Sequence, residues 1–249
     1  MATINRLFGT LSTAALLGLA TPASAAGLSP PDDVATDWSG FYVGGQLGGA
    51  WDRADWRYDN RNYFNTSGPV LLGRNFDFDA GGVAGGGQLG FNYQTGAWVL
   101  GVEWSAIVPD LDAREASPFF PAIDVYRTDV QWLTSVTGRV AYAQDRWLAY
   151  AKAGWARAEV GLNLVDVSNL TRAVGDEWAN GWTVGGGGEY ALGGGFSLAV
   201  EYDYADLDVE HWRVHCRKCG SESFLATPIV DGDIAIQSVT ARLNYRFGN

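Results

Sequence analysis

Phe41-Tyr42-Val43-Gly44-Gly45-Gln46-Leu47-Gly48-Gly49-Ala50-Trp51 alternates with a period of two. Phe41, Val43, Leu47 and Trp51 share one face with Gly45 and Gly49. Tyr42, Gly44, Gln46, Gly48 and Ala50 share the other. One face is apolar and carries an aromatic ring at each end, whereas the other is small or polar. Period two belongs to a strand, because successive side chains leave the backbone on opposite sides. Aromatic rings about ten positions apart, on a strand tilted near 40°, bracket roughly 25 Å, the apolar band of an outer-membrane barrel.

The same pattern recurs over 83–93, 98–108, 132–142, 147–155, 182–190, 196–204 and 239–247. The expectation is an all-β fold of eight strands, each about nine to eleven residues long. Short turns at 95–96, 144–146 and 193–195 alternate with long connections at 52–80, 109–128, 164–178 and 206–233. That alternation predicts an antiparallel up-and-down transmembrane β-barrel with short periplasmic turns and four long external loops. The apolar faces carry Phe41, Tyr93, Trp98, Tyr142, Trp147, Tyr190, Phe196 and Phe247 beside the short turns. Trp51, Trp104, Trp132, Trp155, Trp182 and Tyr204 stand at the other end. These two sets predict two interfacial girdles.

Composition agrees with that reading. The chain has 249 residues, with 17 Lys+Arg against 28 Asp+Glu and a formal charge of −11. So acidic a chain builds no phosphate-neutralising stripe, which excludes nucleic acid as a partner. A hydrophobic content of 47% is too high for a disordered chain. A mean hydropathy of −0.06, with no long apolar run after residue 20, excludes a helical membrane protein.

The N-terminus reads as an address. Arg6 is followed by an apolar run over 7–20 and by Ala23-Ser24-Ala25, the order of a secretory signal peptide. The expected organisation is a signal peptide over 1–25, a flexible periplasmic lead-in over 26–37 and a barrel domain over 38–249.

Strand parity places Glu103, Glu189, Glu201 and Asp203 inside, with Arg139, Lys152, Arg242 and Arg246. Eight strands leave an interior just wide enough for side chains, and buried charges must be paired. A salt-bridged polar filling is therefore expected, helped by Gln46, Gln88, Asn92 and Asn244, with a narrow ion path as the alternative. The halves also resemble each other. Leu100-Gly-Val-Glu103-Trp104 parallels Leu198-Ala-Val-Glu201-Tyr202, and Val136-Thr-Gly-Arg139-Val140 parallels Val239-Thr-Ala-Arg242-Leu243. Either a duplication or the shared binary pattern of barrel strands accounts for this.

Both histidines and both cysteines fall in the last long connection: His211, His215, Cys216 and Cys219. Four N/S ligands suit tetrahedral Zn²⁺. C-x2-C in an oxidising compartment suits a disulfide, Cys216 with Cys219, and this is the favoured reading. No other cofactor is expected. In the first connection, Asp52, Arg53, Asp55, Arg57, Asp59 and Arg61 alternate among Trp56, Tyr58, Tyr63 and Phe64. They read either as a solvated loop or as a surface for an external ligand or host surface. Arg53 and Arg157 share the outward parity of Trp51 and Trp155, just beyond the outer girdle. There they are candidate contacts for lipopolysaccharide phosphates.

Trp38-Ser-Gly-Phe-Tyr-Val-Gly-Gly-Gln46-Leu-Gly resembles the opening strand of the OmpA-like outer-membrane β-barrel family. The match is to its alphaproteobacterial branch of outer-membrane immunogenic, or "porin family", proteins. Leu243-Asn-Tyr-Arg-Phe247 resembles that family's closing strand, though this chain continues with Gly248-Asn249. The resemblance implies a surface-exposed barrel in the Gram-negative outer membrane with both chain ends periplasmic. It also implies insertion by the barrel-assembly machinery and contact with outer-membrane lipid and lipopolysaccharide. A structural, non-enzymatic role in the cell envelope is expected, with a small-conductance pore as the alternative and a lipid-modifying enzyme as a distant one. No Ser-His-carboxylate arrangement is inferable from the sequence.

Overall fold

A computed structural model describes residues 36–60, 73–168, 170–216 and 227–247. The expected signal peptide and most of the expected lead-in lie outside the described residues. Ten strands follow in chain order: β1 Gly40–Tyr58, β2 Asn75–Thr95, β3 Trp98–Pro109, β4 Leu111–Ala116 and β5 Asp124–Gln144. β6 Trp147–Asp166, β7 Thr171–Gly193, β8 Phe196–Arg213, β9 His215–Cys216 and β10 Ile229–Arg246 complete them. Every pairing is antiparallel. The order β3-β2-β1-β10-β8-β7-β6-β5 closes on itself through a β3–β5 ladder. β4 extends β3 past Asp110 along β5, and the two-residue β9 extends β8 along β7. The barrel therefore has eight staves. Closure leaves no strand edge, which is how a sheet pairs all its backbone groups where no water is available.

The tight turns follow from local chemistry. Gly96, Asp145 and the Gly193-Gly194-Gly195 run all have positive φ, and glycine adopts that conformation without a Cβ penalty. At this same end Trp38 is buried against Val99, Ala141, Leu148, Tyr150 and Ala191. Its backbone N–H donates to Gln94 Oε1 at 2.7 Å. Thr36 N–H also reaches the Asp145 carbonyl. The end of the expected lead-in is thus fastened to the barrel at Thr36.

The strands are longer than the nine to eleven residues expected: β1 has 19, β5 has 21 and β7 has 23. Much of what reads as long loop in the sequence is strand. The reason is an inversion of polarity without any change of period. Along β1, lipid-facing Phe41, Val43, Leu47 and Trp51 give way to exposed Arg53, Asp55 and Arg57. Inward Tyr42 and Gln46 give way to buried Ala54, Trp56 and Tyr58. Along β10, Arg246, Asn244 and Arg242 point inward at one end, and Ile236, Ile234 and Val230 at the other. Below the outer girdle the wall faces lipid and must be apolar. Above it the wall faces water, and apolar side chains turn inside.

The upper interior is a conventional apolar core. Trp56 packs at a tilt against Trp212 with ring centroids 5.7 Å apart, and Phe76 lies 5.1 Å from Tyr58 and 5.4 Å from Tyr126. The Tyr58 hydroxyl donates to the Tyr126 hydroxyl at 2.9 Å. At the rim of this core Asp124 sits directly across from Asp166. Burial, reinforced by the neighbouring Asp166 charge, pushes the Asp124 carboxyl up to about 6. A carboxyl whose pKa is raised by folding gives stability at low pH that is lost as pH rises through the folded value. Asp124→Asn is therefore expected to match the wild type in urea resistance near pH 4. It should become progressively more resistant than the wild type between about pH 4 and 6 and hold that advantage at higher pH. An advantage independent of pH would contradict this assignment.

Candidate functional site

At membrane level the interior of the ring is filled by charged and polar side chains. Glycines clear the space. A Cβ on Gly90 would collide with Tyr42, and one on Gly185 with Asp203. This gives the inward glycines of the sequence a packing role. Into that space project Glu103 from β3, Arg139 from β5 and Lys152 from β6. Glu189 comes from β7, Glu201 and Asp203 from β8, and Arg242 from β10.

These seven meet in one belt. Lys152 Nζ lies 2.7 Å from Glu201, 3.1 Å from Asp203 and 3.2 Å from Glu103. Arg242 pairs with Glu103 at 2.8 Å and also with Glu201. Arg139 pairs with Glu189 at 3.0 Å and stands 3.9 Å from Glu103. The side chains of Glu103, Glu201, Arg139, Lys152 and Arg242 are each 1–2% exposed. At that burial every remaining lone pair and N–H requires a partner.

Several such partners are residues that the sequence places inside without marking them as part of the network. The Tyr42 hydroxyl donates to Glu103 at 2.7 Å and accepts from Arg139 at 3.1 Å. The Tyr150 hydroxyl donates to Glu201 at 2.6 Å, and the Arg139 guanidinium stacks 3.9 Å from the Tyr150 ring centroid. Ser197 and Asn244 both donate to Glu189, and Gln88 donates to Asn244 at 2.7 Å. Gln46 accepts from Thr240. The signal that could have found Tyr42 and Tyr150 is their inward parity beside Gln46 and Lys152.

Arg246 stands apart from the belt. Its guanidinium lies 5.2 Å from the Trp38 ring, and among the described residues no carboxylate comes within ion-pair distance of it. It lies four residues beyond Arg242 along β10, nearer the short turns and beside Trp38. Just above the belt a cavity of about 20 Å³ is lined by Gln46, Ser105, Ser135, Thr183, Asp203 and Ser238, with Ile and Leu side chains above. That is room for about one water molecule.

Among the described residues, His211, His215 and Cys216 of the sequence's metal set do not converge on one point. Cys216 is disulfide-bonded, which removes its thiolate; the chain's other cysteine, Cys219, lies outside the described residues. His211 leaves that set. Its Nε2 is 3.4 Å from Asp59 and its Nδ1 is 3.9 Å from Asp231, which is itself held by Arg57 at 2.7 Å. His215 pairs along β7 opposite Val174. In the first connection, Trp56 and Tyr58 are core residues and only the charged side chains of 53–57 meet water; Arg61, Tyr63 and Phe64 lie outside the described residues. The two arginines placed near the outer girdle differ. Arg53 pairs with Asp79 at 3.5 Å, whereas Arg157 stacks 4.0 Å from the Trp178 ring.

Comparison with known proteins agrees with this architecture. The family model described as an outer membrane protein beta-barrel domain matches residues 11–247. The 31 kDa outer-membrane immunogenic protein of Brucella melitensis is 30% identical, over 99% of this chain and 98% of that protein. The 22 kDa outer membrane protein of Rhizobium leguminosarum bv. viciae is 29% identical, over 71% of this chain and 67% of that protein. Among solved structures, the outer membrane protein OprG of Pseudomonas aeruginosa aligns over 84% of this chain and 97% of its own, with 12% identity and a TM-score of 0.44. The chain belongs to the outer membrane protein beta-barrel domain family and is a barrel of the outer membrane.

Proposed function

We propose that the protein is a structural, non-catalytic barrel. Its membrane-level lumen is held shut by paired side chains, and it contributes to envelope integrity and to surface contacts through its external wall and connections. The observation that carries the reading is the span of the belt. Glu103 on β3 and Glu201 on β8 stand on opposite staves of the ring, and Lys152 and Arg242 each bind both. A lumen crossed by such bridges has no continuous water column at that level, and an ion would have to replace several of them at once. The Trp38 cluster below and the Trp56, Tyr58, Phe76 and Tyr126 core above add two further constrictions. The name of the Brucella relative, an immunogenic protein of the outer membrane, suits a chain displayed at the surface.

Single-channel recording of the refolded protein in a planar bilayer tests this, with Arg139→Ala alongside. The wild type is expected to be silent. The variant should leak at most, because the apolar core above the belt is untouched. Reproducible wild-type steps whose size or ion selectivity changes in Arg139→Ala would overturn the reading and establish a pore lined by the inward charges.

A further inference from the structure

Two residues above Trp155, on the outer wall of β5, β6 and β7, lies an arrangement that the closed lumen does not use. Arg157 is outward-facing. Its neighbours across the ladders are Thr134 on β5 and Asn180 on β7. One row lower, Trp155 stands directly opposite Trp182 in the outer girdle. One row higher, Trp132, Glu159 and Trp178 stand directly opposite one another. Arg157 thus has tryptophans in the ladder rows above and below it. Its guanidinium lies 4.0 Å from the Trp178 ring centroid, and Trp178 packs edge-on against Trp132 at 4.9 Å. Glu159, the nearest carboxylate in the ladder, is turned aside and accepts from Trp132 Nε1 at 2.5 Å. Arg157 Nε is buried without a hydrogen-bond partner, and among the described residues no ion pair is formed by this side chain.

The contrast with Arg53 is informative. Both arginines sit two residues beyond a girdle tryptophan on an acid-rich wall. Arg53 is neutralised by Asp79, with both side chains more than 60% exposed. Arg157 instead keeps its charge unneutralised, with its plane fixed by stacking. A guanidinium held in this way loses little freedom on binding and presents a planar fork of donors to a tetrahedral anion. Its height, just above the apolar band, is that of the lipid headgroups. Flanking tryptophans offer flat apolar faces on which a sugar ring can lie.

We infer that Arg157, with Trp178 and Trp132, forms a site for one phosphorylated glycolipid of the outer leaflet, its phosphate on the Arg157 guanidinium and its sugar against the tryptophans. The inference depends on the outer-membrane placement and not on the closed lumen. Lipid retention and conductance therefore fail independently.

The test is native mass spectrometry of the full mature protein in mild detergent, titrated with lipid A, with dephosphorylated lipid A and with phosphatidylglycerol. The wild type should retain one lipid A, and removing the phosphates should weaken retention by roughly tenfold. Arg157→Ala should show a loss of the same size, Trp178→Leu a smaller one and Arg53→Ala none. If Arg157→Ala does not fold, the wild-type comparison of phosphorylated with dephosphorylated lipid carries the test. Equal retention of the three lipids by the wild type would overturn the site, as would lipid A retention unchanged in a folded Arg157→Ala. An equal loss in Arg53→Ala would reduce it to general charge attraction and overturn it too.

Discussion

The pairing of buried charge in the membrane-level lumen is the interaction on which the rest of the barrel depends. Moving an ion out of water costs several kcal/mol even after relaxation, and only close, multiple partners offset that. Here three cations serve four carboxylates. Lys152 serves three of them, and Arg242 and Arg139 serve two each. Tyr42 and Tyr150 supply the remaining donors to Glu103 and Glu201. Because these partners come from β1, β3, β5, β6, β7, β8 and β10, the belt ties together staves that no backbone ladder joins. Glycine on the inward faces is the corresponding requirement, since long side chains fill a narrow ring only where their neighbours have none.

The inversion at the outer girdle supplies a second, different core in the same barrel. Below it the solvent outside is lipid, and the polar residues go in. Above it the solvent is water, and the apolar residues go in. The strand continues through both regimes, so its period of two is unbroken from Gly40 to Tyr58. This is why the fold was legible in the sequence while the strand lengths were not. Phe41 to Trp51 matches a lipid-facing template. Asp52 to Tyr58 alternates just as regularly, but with acids and arginines outward, which resembles a solvated loop. The buried alternation of Ala54, Trp56 and Tyr58 is the signal that distinguishes the two.

The candidate site was legible to the same extent and for the same reason. Parity placed seven of the belt's charges on the inside, and the paired motifs around Glu103 and Glu201 and around Arg139 and Arg242 occupy opposite staves of the ring. Which carboxylate meets which cation depends on stagger between staves, and that is not written in any one strand. Arg246 illustrates this. It shares the inward parity of Arg242 but lies near the mouth, where Trp38, from outside the strand pattern, gives its guanidinium a ring face. The His and Cys residues divide along the two readings their spacing left open: Cys216 is disulfide-bonded, in line with the favoured one, while the β8 path sends His211 toward Asp59 and Asp231.

If the belt acts as one coupled unit, a double-mutant cycle on Lys152 and Glu201 must show it. Urea unfolding would be measured in lipid vesicles for Lys152→Met, Glu201→Gln and the double variant. Each single change is expected to cost about 3–5 kcal/mol, because it strands buried partners. The double variant should then be less destabilised than the sum of the two by more than about 1 kcal/mol. Strict additivity of the two losses would show instead that these charges do not hold each other.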